Sequence, residues 1–142
     1  MFGTMPIFNP NPATWTEAFA IYAVPAMAAG LGCRVATAYR AVADRARVVG
    51  GESVVVIGAG GVGLAAVAVA RSRGARVCAV DVSAASLDRA LDQGADEVVD
   101  ASIGRDKVIA AVTHWAGGGV DVSIDALGSP EACRTGILSL GR

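Results

Sequence analysis

The stretch SVVVIGAGGVGLAAVAVARSRG, residues 53–74, decides the fold. It opens with an unbroken run of Val and Ile, the composition that a strand buried on both faces requires. Four glycines follow within six residues, and a run rich in helix-forming residues comes after them. A strand, a glycine turn and a helix in this order are the start of a βαβ unit. The stretch therefore predicts a parallel sheet covered by helices.

The rest of the chain repeats this alternation. Short β-branched runs are separated by helical stretches, which is typical of a parallel sheet with helices on both faces. We predict the α/β class and a partial Rossmann fold, a doubly wound parallel sheet of about four strands in the order 3-2-1-4. The predicted strands are residues 53–57, 76–80, 97–99 and 120–124.

The helices between these strands carry their own start and stop signals. Gly74 and Gly94 each follow a helical run and can adopt the left-handed conformation that ends a helix. Ser83 and Ser102 are predicted N-caps. An amphipathic helix is predicted upstream over residues 32–45, and a last helix over residues 130–140.

The glycine turn has the spacing of a pyrophosphate-binding loop. Gly58 makes the tight turn, Gly60 lets the backbone approach a phosphate, and Gly63 lets the helix pack close to the strand. The N–H groups of Gly61 and Val62 open the helix, whose N-terminus carries a partial positive charge. The loop therefore predicts a dinucleotide site.

An acidic residue stands where such a site needs one. Asp81 ends the second predicted strand, 18 residues after Gly63, and can accept hydrogen bonds from both ribose hydroxyls of an adenosine. Its charge would repel a 2′-phosphate, and residues 82–85 contain no Arg or Lys. We therefore expect NAD rather than NADP.

S-adenosylmethionine is the competing ligand, because methyltransferases also end their second strand in an acid after a glycine-rich loop. They usually carry an acidic residue at the head of that loop, whereas residues 55–58 contain none. The full glycine spacing favours the dinucleotide.

Composition excludes other classes. The 142 residues carry a net charge of -1 with 18% charged residues, so nucleic acid is not an expected partner. The apolar runs at residues 18–33 and 54–70 are interrupted by Pro25 and by the glycine turn, so no membrane span is predicted. Three widely spaced cysteines favour a reducing compartment, and we expect a cytoplasmic protein.

The sequence resembles the zinc-dependent medium-chain alcohol dehydrogenases. The resemblance lies in the following segments, in this order: residues 31–40, 51–52, 55–63, 74–76 and 80–83. The resemblance covers about residues 28–142 and implies oxidation of an alcohol to an aldehyde or ketone with hydride transfer to NAD. It implies that Cys33 is a ligand of the catalytic zinc and that Thr37 lies beside the nicotinamide. Asp125 and Gly128 match the loop after the fourth strand, which passes along the cofactor.

The departures from the family suggest an interior piece of a longer dehydrogenase. The family's first zinc-binding Cys, its His-Glu pair and its four-cysteine lobe have no counterpart here, so Cys33 stands without partner ligands. We expect zinc to be held in the full-length family but not by this chain, and the isolated chain to be inactive. Residues 1–24 are predicted to be an irregular segment, a vestige of the catalytic domain, and residues 25–142 the partial NAD-binding domain.

Three functions remain open: the NAD-binding portion of an oxidoreductase, a non-catalytic dinucleotide-binding module, and an inactive gene remnant. The fourth predicted strand lacks a neighbour on one side, so we expect a homo-oligomer or aggregation through that open edge.

His114 is predicted to be a partly exposed helix-end residue, Cys78 part of the strand core, and Cys133 a small helix residue, with both thiols inert when buried.

Overall fold

A computed structural model describes residues 32–141. Residues Arg34–Arg142 form one compact unit. Its centre is a sheet of four parallel strands, and their order is β3-β2-β1-β4. The strands are β1 (Ser53–Ile57), β2 (Arg76–Asp81), β3 (Glu97–Asp100) and β4 (Val122–Asp125). The predicted class, strand number and strand order are confirmed.

Helices connect the strands. The first, α1, is α-helical over residues 32–39 and continues as a π-helix over Arg40–Arg45. The predicted helix over residues 32–45 is therefore present, although its second half is wound more loosely than an α-helix. The remaining helices are α2 (Gly61–Ser72), α3 (Ala84–Asp92), α4 (Arg105–Ala116) and α5 (Pro130–Leu138).

The central strand β1 is buried along its whole length, which explains its run of Val and Ile. Val54 and Val56 pack into a layer formed with α1, α2 and α3. Val55 and Ile57 pack into the opposite layer, which α4 and α5 supply. The sheet is therefore covered on both faces, as a doubly wound fold requires.

The turn between β1 and α2 depends on two glycines. Gly58 has a φ of 94°, a left-handed conformation that L side chains rarely adopt. A Cβ atom on Gly63 would overlap the carbonyl oxygen of Gly58. The first turn of α2 therefore lies directly against the end of β1, as the glycine spacing predicts.

The prediction for the fourth strand was wrong at its start. The strand begins at Val122 rather than Val120, because the Asp121 carboxylate accepts the Ser53 N–H at 2.8 Å in place of a backbone carbonyl. Val120 instead forms an isolated bridge with Leu140. This bridge occupies part of the edge that the sequence leaves open, and association through the remainder of that edge stays a prediction.

The predicted cap at Ser102 was also wrong. Asp100 accepts a hydrogen bond from the Ser102 N–H at 2.8 Å, which closes a 3₁₀ turn over Ala101–Ile103. The next helix, α4, begins only at Arg105, after Gly104 has taken a φ of 97°. The short side chain of Asp100 thus competes successfully with the helix for the local backbone.

The last helix ends at Leu138 rather than at residue 140, and β2, β3 and β4 each end one residue later than predicted. The predicted helix-ending glycines agree with the structure. Gly74 and Gly94 have φ values of 82° and 101°, as predicted for residues that end helices. Ser83 holds the N-cap position of α3, although its side chain makes no capping bond. Its N–H donates to Asp81 instead, at 2.9 Å.

The contact between Gly63 and Gly58 leads to a stability prediction. Gly63→Ala should lower the free energy of unfolding by about 3 kcal/mol, because a methyl group there meets backbone that cannot move without displacing β1. Gly60→Ala is the matched control: a Cβ on Gly60 meets nothing within 4 Å, so a change below about 0.5 kcal/mol is expected. Urea denaturation measures both, and equal stabilities of the two variants would contradict this account of the turn.

The contact between Asp121 and Ser53 leads to a prediction about acid stability. The backbone and hydroxyl donors of Ser53 hold the pKa of Asp121 below its ordinary value. Because the folded pKa is lower than the unfolded value of about 3.9, the carboxylate stabilises the fold at neutral pH. This contribution disappears as the pH falls through the folded pKa.

Asp121→Asn should therefore be less stable than the parent protein at pH 7, and the difference should shrink towards zero as the solution is acidified. Urea denaturation at a series of pH values measures it. Asp88→Asn, an exposed residue of α3, is the control and should follow the parent. A difference between Asp121→Asn and the parent that is independent of pH would show that the carboxylate charge does not act there.

Candidate functional site

The sequence-predicted binding residues meet at one edge of the sheet. Ile57, the last residue of β1, is in register with Val80 of β2 and with Asp125 of β4. The glycine loop, Asp81 and the loop after β4 therefore lie side by side at the carboxyl ends of the strands. The strand order reverses between β1 and β4. In open α/β sheets this reversal is where ligands bind.

The amino end of α2 offers free donors at this edge. Gly60 is its N-cap residue and has no side chain with which to cap the helix. The N–H groups of Gly61, Val62 and Gly63 belong to the first turn and have no intrahelical acceptors. Open space surrounds Gly60, where a Cβ would meet nothing within 4 Å. The arrangement can receive an anion.

Asp81 is held in a fixed orientation beside this loop. One carboxylate oxygen accepts the Ala59 N–H at 2.7 Å, and the other accepts the Ser83 N–H at 2.9 Å. Each oxygen of an ionised carboxylate has two lone pairs, so each can accept one more hydrogen bond. Asp81 therefore joins the glycine loop to β2 and still has two acceptor positions for a ligand.

A second carboxylate stands next to Asp81 in the sheet. Asp100 of β3 is in register with Asp81. Its pKa lies below the ordinary value because the backbone N–H and side chain of Ser102 donate to it. The ends of β2 and β3 thus both carry an acidic residue, and this pair of acids disfavours a phosphate at that position.

Asp125 shapes the loop that follows β4. A single oxygen, Oδ1, accepts the N–H groups of Leu127 and Gly128, both at 2.9 Å. The loop brings the Leu127 side chain against Gly58. A Cβ atom added to Gly58 would lie 2.7 Å from Leu127 Cγ. The loop after β4 therefore borders the glycine loop.

A mainly apolar pocket of about 220 Å³, with Arg105 and Glu131 also in its lining, opens beside Asp81. Its lining includes Val82, Ala101, Val108 and Leu127. Two of these are large apolar side chains facing solvent: Val82 is 70% exposed and Leu127 is 61% exposed. The sequence reasoning passed over both residues. The available signal was an apolar residue placed directly after the acid that ends a strand, and another between Asp125 and Gly128.

The residues that the resemblance assigns to zinc and nicotinamide lie on α1. Cys33 and Thr37 are both exposed. Within residues 32–141, no three His, Cys, Asp or Glu side chains lie together as a metal site would need. His114 is exposed in the last turn of α4, as expected. The described part of the chain therefore does not fit a catalytic zinc ion.

The other two cysteines differ in their surroundings. Cys78 is buried in β2, and this burial, with a smaller effect from Glu97, raises the pKa of its thiol to about 12. Its predicted role in the strand core is confirmed. Cys133 does lie in a helix, α5, but it is exposed rather than buried.

No helix within residues 32–141 is long and apolar enough to cross a membrane.

Comparison with known proteins places these features in a family. Residues 61–142, more than half of the chain, match the zinc-binding dehydrogenase family. A curated S-(hydroxymethyl)glutathione dehydrogenase of Synechocystis sp. is 34% identical over 108 residues, covering 75% of this chain and 29% of that protein. The class-2 alcohol dehydrogenase isozyme 2 of Oryctolagus cuniculus is 33% identical over 105 residues, covering 73% of this chain and 28% of that protein.

A solved structure agrees. The alcohol dehydrogenase zinc-binding domain protein from Burkholderia ambifaria superimposes with a TM-score of 0.74 and 37% sequence identity, over 78% of this chain and 30% of that chain. The chain thus spans less than a third of the length of these relatives. The resemblance drawn from residues 28–142 is confirmed. With its glycine loop, its parallel sheet and this similarity, the chain belongs to the family of zinc-binding dehydrogenases.

Proposed function

We propose that residues 25–142 are the NAD-binding portion of an alcohol dehydrogenase-like oxidoreductase. The observation that carries this proposal is the position of Asp81, whose carboxylate is hydrogen-bonded to the glycine loop and lies beside the uncapped amino end of α2. An anion and a pair of ribose hydroxyls can be bound next to each other there. The reaction of the whole protein would convert an alcohol to an aldehyde or ketone.

Each part of the dinucleotide has a place at this edge. The pyrophosphate would accept hydrogen bonds from the N–H groups of Gly61 and Val62, and the adenosine ribose would donate to Asp81. The adenine ring would lie in the apolar pocket between Val82 and Leu127, whose exposed side chains would then be covered. Thr37 would lie beside the nicotinamide and the loop with Asp125 and Gly128 would pass along the cofactor, as the resemblance implies. When bound, the nicotinamide accepts the hydride.

Only the family membership of the chain suggests that zinc takes part in this function. Cys33 would be one ligand, and a catalytic zinc needs three protein ligands and an open position. Since residues 32–141 hold no such set, we assign cofactor binding to the described residues and derive no step through the metal. Residues 1–24, predicted to be a vestige of a catalytic domain, lie outside the described residues.

A second candidate function is a dinucleotide-binding module without catalysis, which the isolated position of Cys33 favours. Both functions use the same NAD site, so turnover of a simple alcohol with NAD separates them. A gene remnant, by contrast, would bind no dinucleotide at all. A cytoplasmic location and association through the β4 edge remain proposals.

Asp81 provides the first test. Asp81→Ser and Asp81→Asn should weaken NAD binding about tenfold, because each variant replaces the carboxylate with a group that has a single acceptor oxygen and no charge. The ratio of the NAD affinity to the NADP affinity should fall at the same time, since the charge that repels a 2′-phosphate is gone. Isothermal calorimetry with both dinucleotides measures this. Asp88→Asn, on the exposed side of α3, is the control for a change of charge alone. Equal affinities of the parent protein for NAD and NADP would overturn the assignment.

Gly60 provides the second test. Gly60→Val should abolish measurable NAD binding, because the side chain would fill the space that the phosphates need. The fold should survive, since a Cβ at Gly60 meets no other atom within 4 Å. Calorimetry with NAD and thermal unfolding measure the two effects. A Gly60→Val variant that binds NAD as tightly as the parent would mean that the loop is a packing turn and not a phosphate site.

A further inference from the structure

The side chain of Arg34 lies over the first residue of α2. A Cβ atom on Gly61 would be 2.6 Å from Arg34 Cδ, 2.9 Å from Nε and 3.1 Å from Cζ. The guanidinium group is therefore in contact with the amino end of the helix whose N–H groups form the loop. Gly61 leaves the room for it, because any larger residue would have to push the arginine aside.

The geometry of α1 explains how the arginine reaches this position. Arg34, Ala38 and Val42 are spaced four residues apart and so share one side of the helix. Ala38 and Val42 are fully buried in the layer that also contains residues of α2. The buried side of α1 thus faces α2, and Arg34 continues it by one turn to the end of the glycine loop.

The Arg34 guanidinium and the partly positive amino end of α2 meet at this point. Within residues 32–141 Arg34 forms no ion pair, as is true of most of the arginines there. The amino end of a helix carries a partial positive charge, so a guanidinium beside it is unfavourable unless an anion lies between them. The nearby Asp81 carboxylate is directed onto the N–H groups of Ala59 and Ser83 instead. Among residues 32–141, no carboxylate is therefore paired with Arg34 at this position.

We propose that Arg34 binds the pyrophosphate of the dinucleotide together with the N–H groups of α2. This inference rests on the proposed function and adds to it a side chain that the glycine loop itself does not contain. A guanidinium presents a planar fork of donors that matches two phosphate oxygens, and such charge-assisted bonds are about twice as strong as neutral ones. Arg34 would neutralise the charge that the loop N–H groups only partly offset.

The test compares Arg34→Ala and Arg34→Lys with Arg40→Ala, which removes an exposed arginine further along the same helix. Calorimetry with NAD should show a loss of about tenfold for Arg34→Ala, a smaller loss for Arg34→Lys and none for Arg40→Ala. Adenosine, which has no phosphate, should bind all variants equally. The loss should also shrink at high salt, where charge interactions are screened.

Gly61→Ala tests the position of the side chain. The added methyl group should displace the arginine while leaving the fold intact, because the contacting atoms belong to the end of a flexible side chain. If Arg34 acts from above Gly61, the double variant Arg34→Ala, Gly61→Ala should bind NAD no more weakly than Arg34→Ala alone. Losses that simply add would overturn the inference.

The outcomes also separate this inference from the proposed function. If the parent chain binds no NAD, the dinucleotide site itself is wrong and the role of Arg34 falls with it. If the parent binds NAD and Arg34→Ala binds it equally, the site stands and the inference fails. A loss of NAD and adenosine affinity in the same proportion would show that Arg34 supports the fold rather than the phosphates.

Discussion

The close approach of two glycines is the constraint on which the rest of the structure depends. A Cβ on Gly63 would overlap the Gly58 carbonyl, so α2 starts directly against the end of β1. The Gly58 N–H is itself bonded to the Val80 carbonyl at 2.7 Å, which fixes the turn to the neighbouring strand. Because the helix begins so close to the sheet, its free N–H groups lie at the same edge as the acid that ends β2. The candidate site follows from this short distance.

Aspartates form the other turns at this edge. Asp81, Asp100 and Asp125 each end a strand, and each accepts the N–H of the residue two positions further on. Such turns satisfy backbone donors just where the ladder ends. Strand β1 ends at Ile57 and is followed by Gly58 instead of an acid, since a helix must approach the strand closely there. Of the three acids, Asp81 also accepts the Ala59 N–H, and this second bond links β2 to the glycine loop.

The charges at this edge are separated over a short distance. Partial positive charge lies at the amino end of α2, with Arg34 beside it, and negative charge lies at the ends of β2 and β3. An apolar pocket opens beyond the acids. This order of positive, acidic and apolar surface corresponds to the order of pyrophosphate, ribose and adenine in a dinucleotide, and it supports the proposal of a dinucleotide rather than a simple phosphate as the ligand.

The sequence by itself determined the fold class, the strand order and the positions of Gly58, Gly63 and Asp81. These features depend on local chemistry: burial of β-branched runs, the conformational freedom of glycine and the spacing along one βαβ unit. The start of β4 and the meeting of Arg34 with Gly61 were decided by the tertiary structure. Each depends on partners that compete for the same backbone group or the same space. These partners are 27 or more positions apart in the chain, as Arg34 and Gly61 are. They come together only when the helices pack on the sheet.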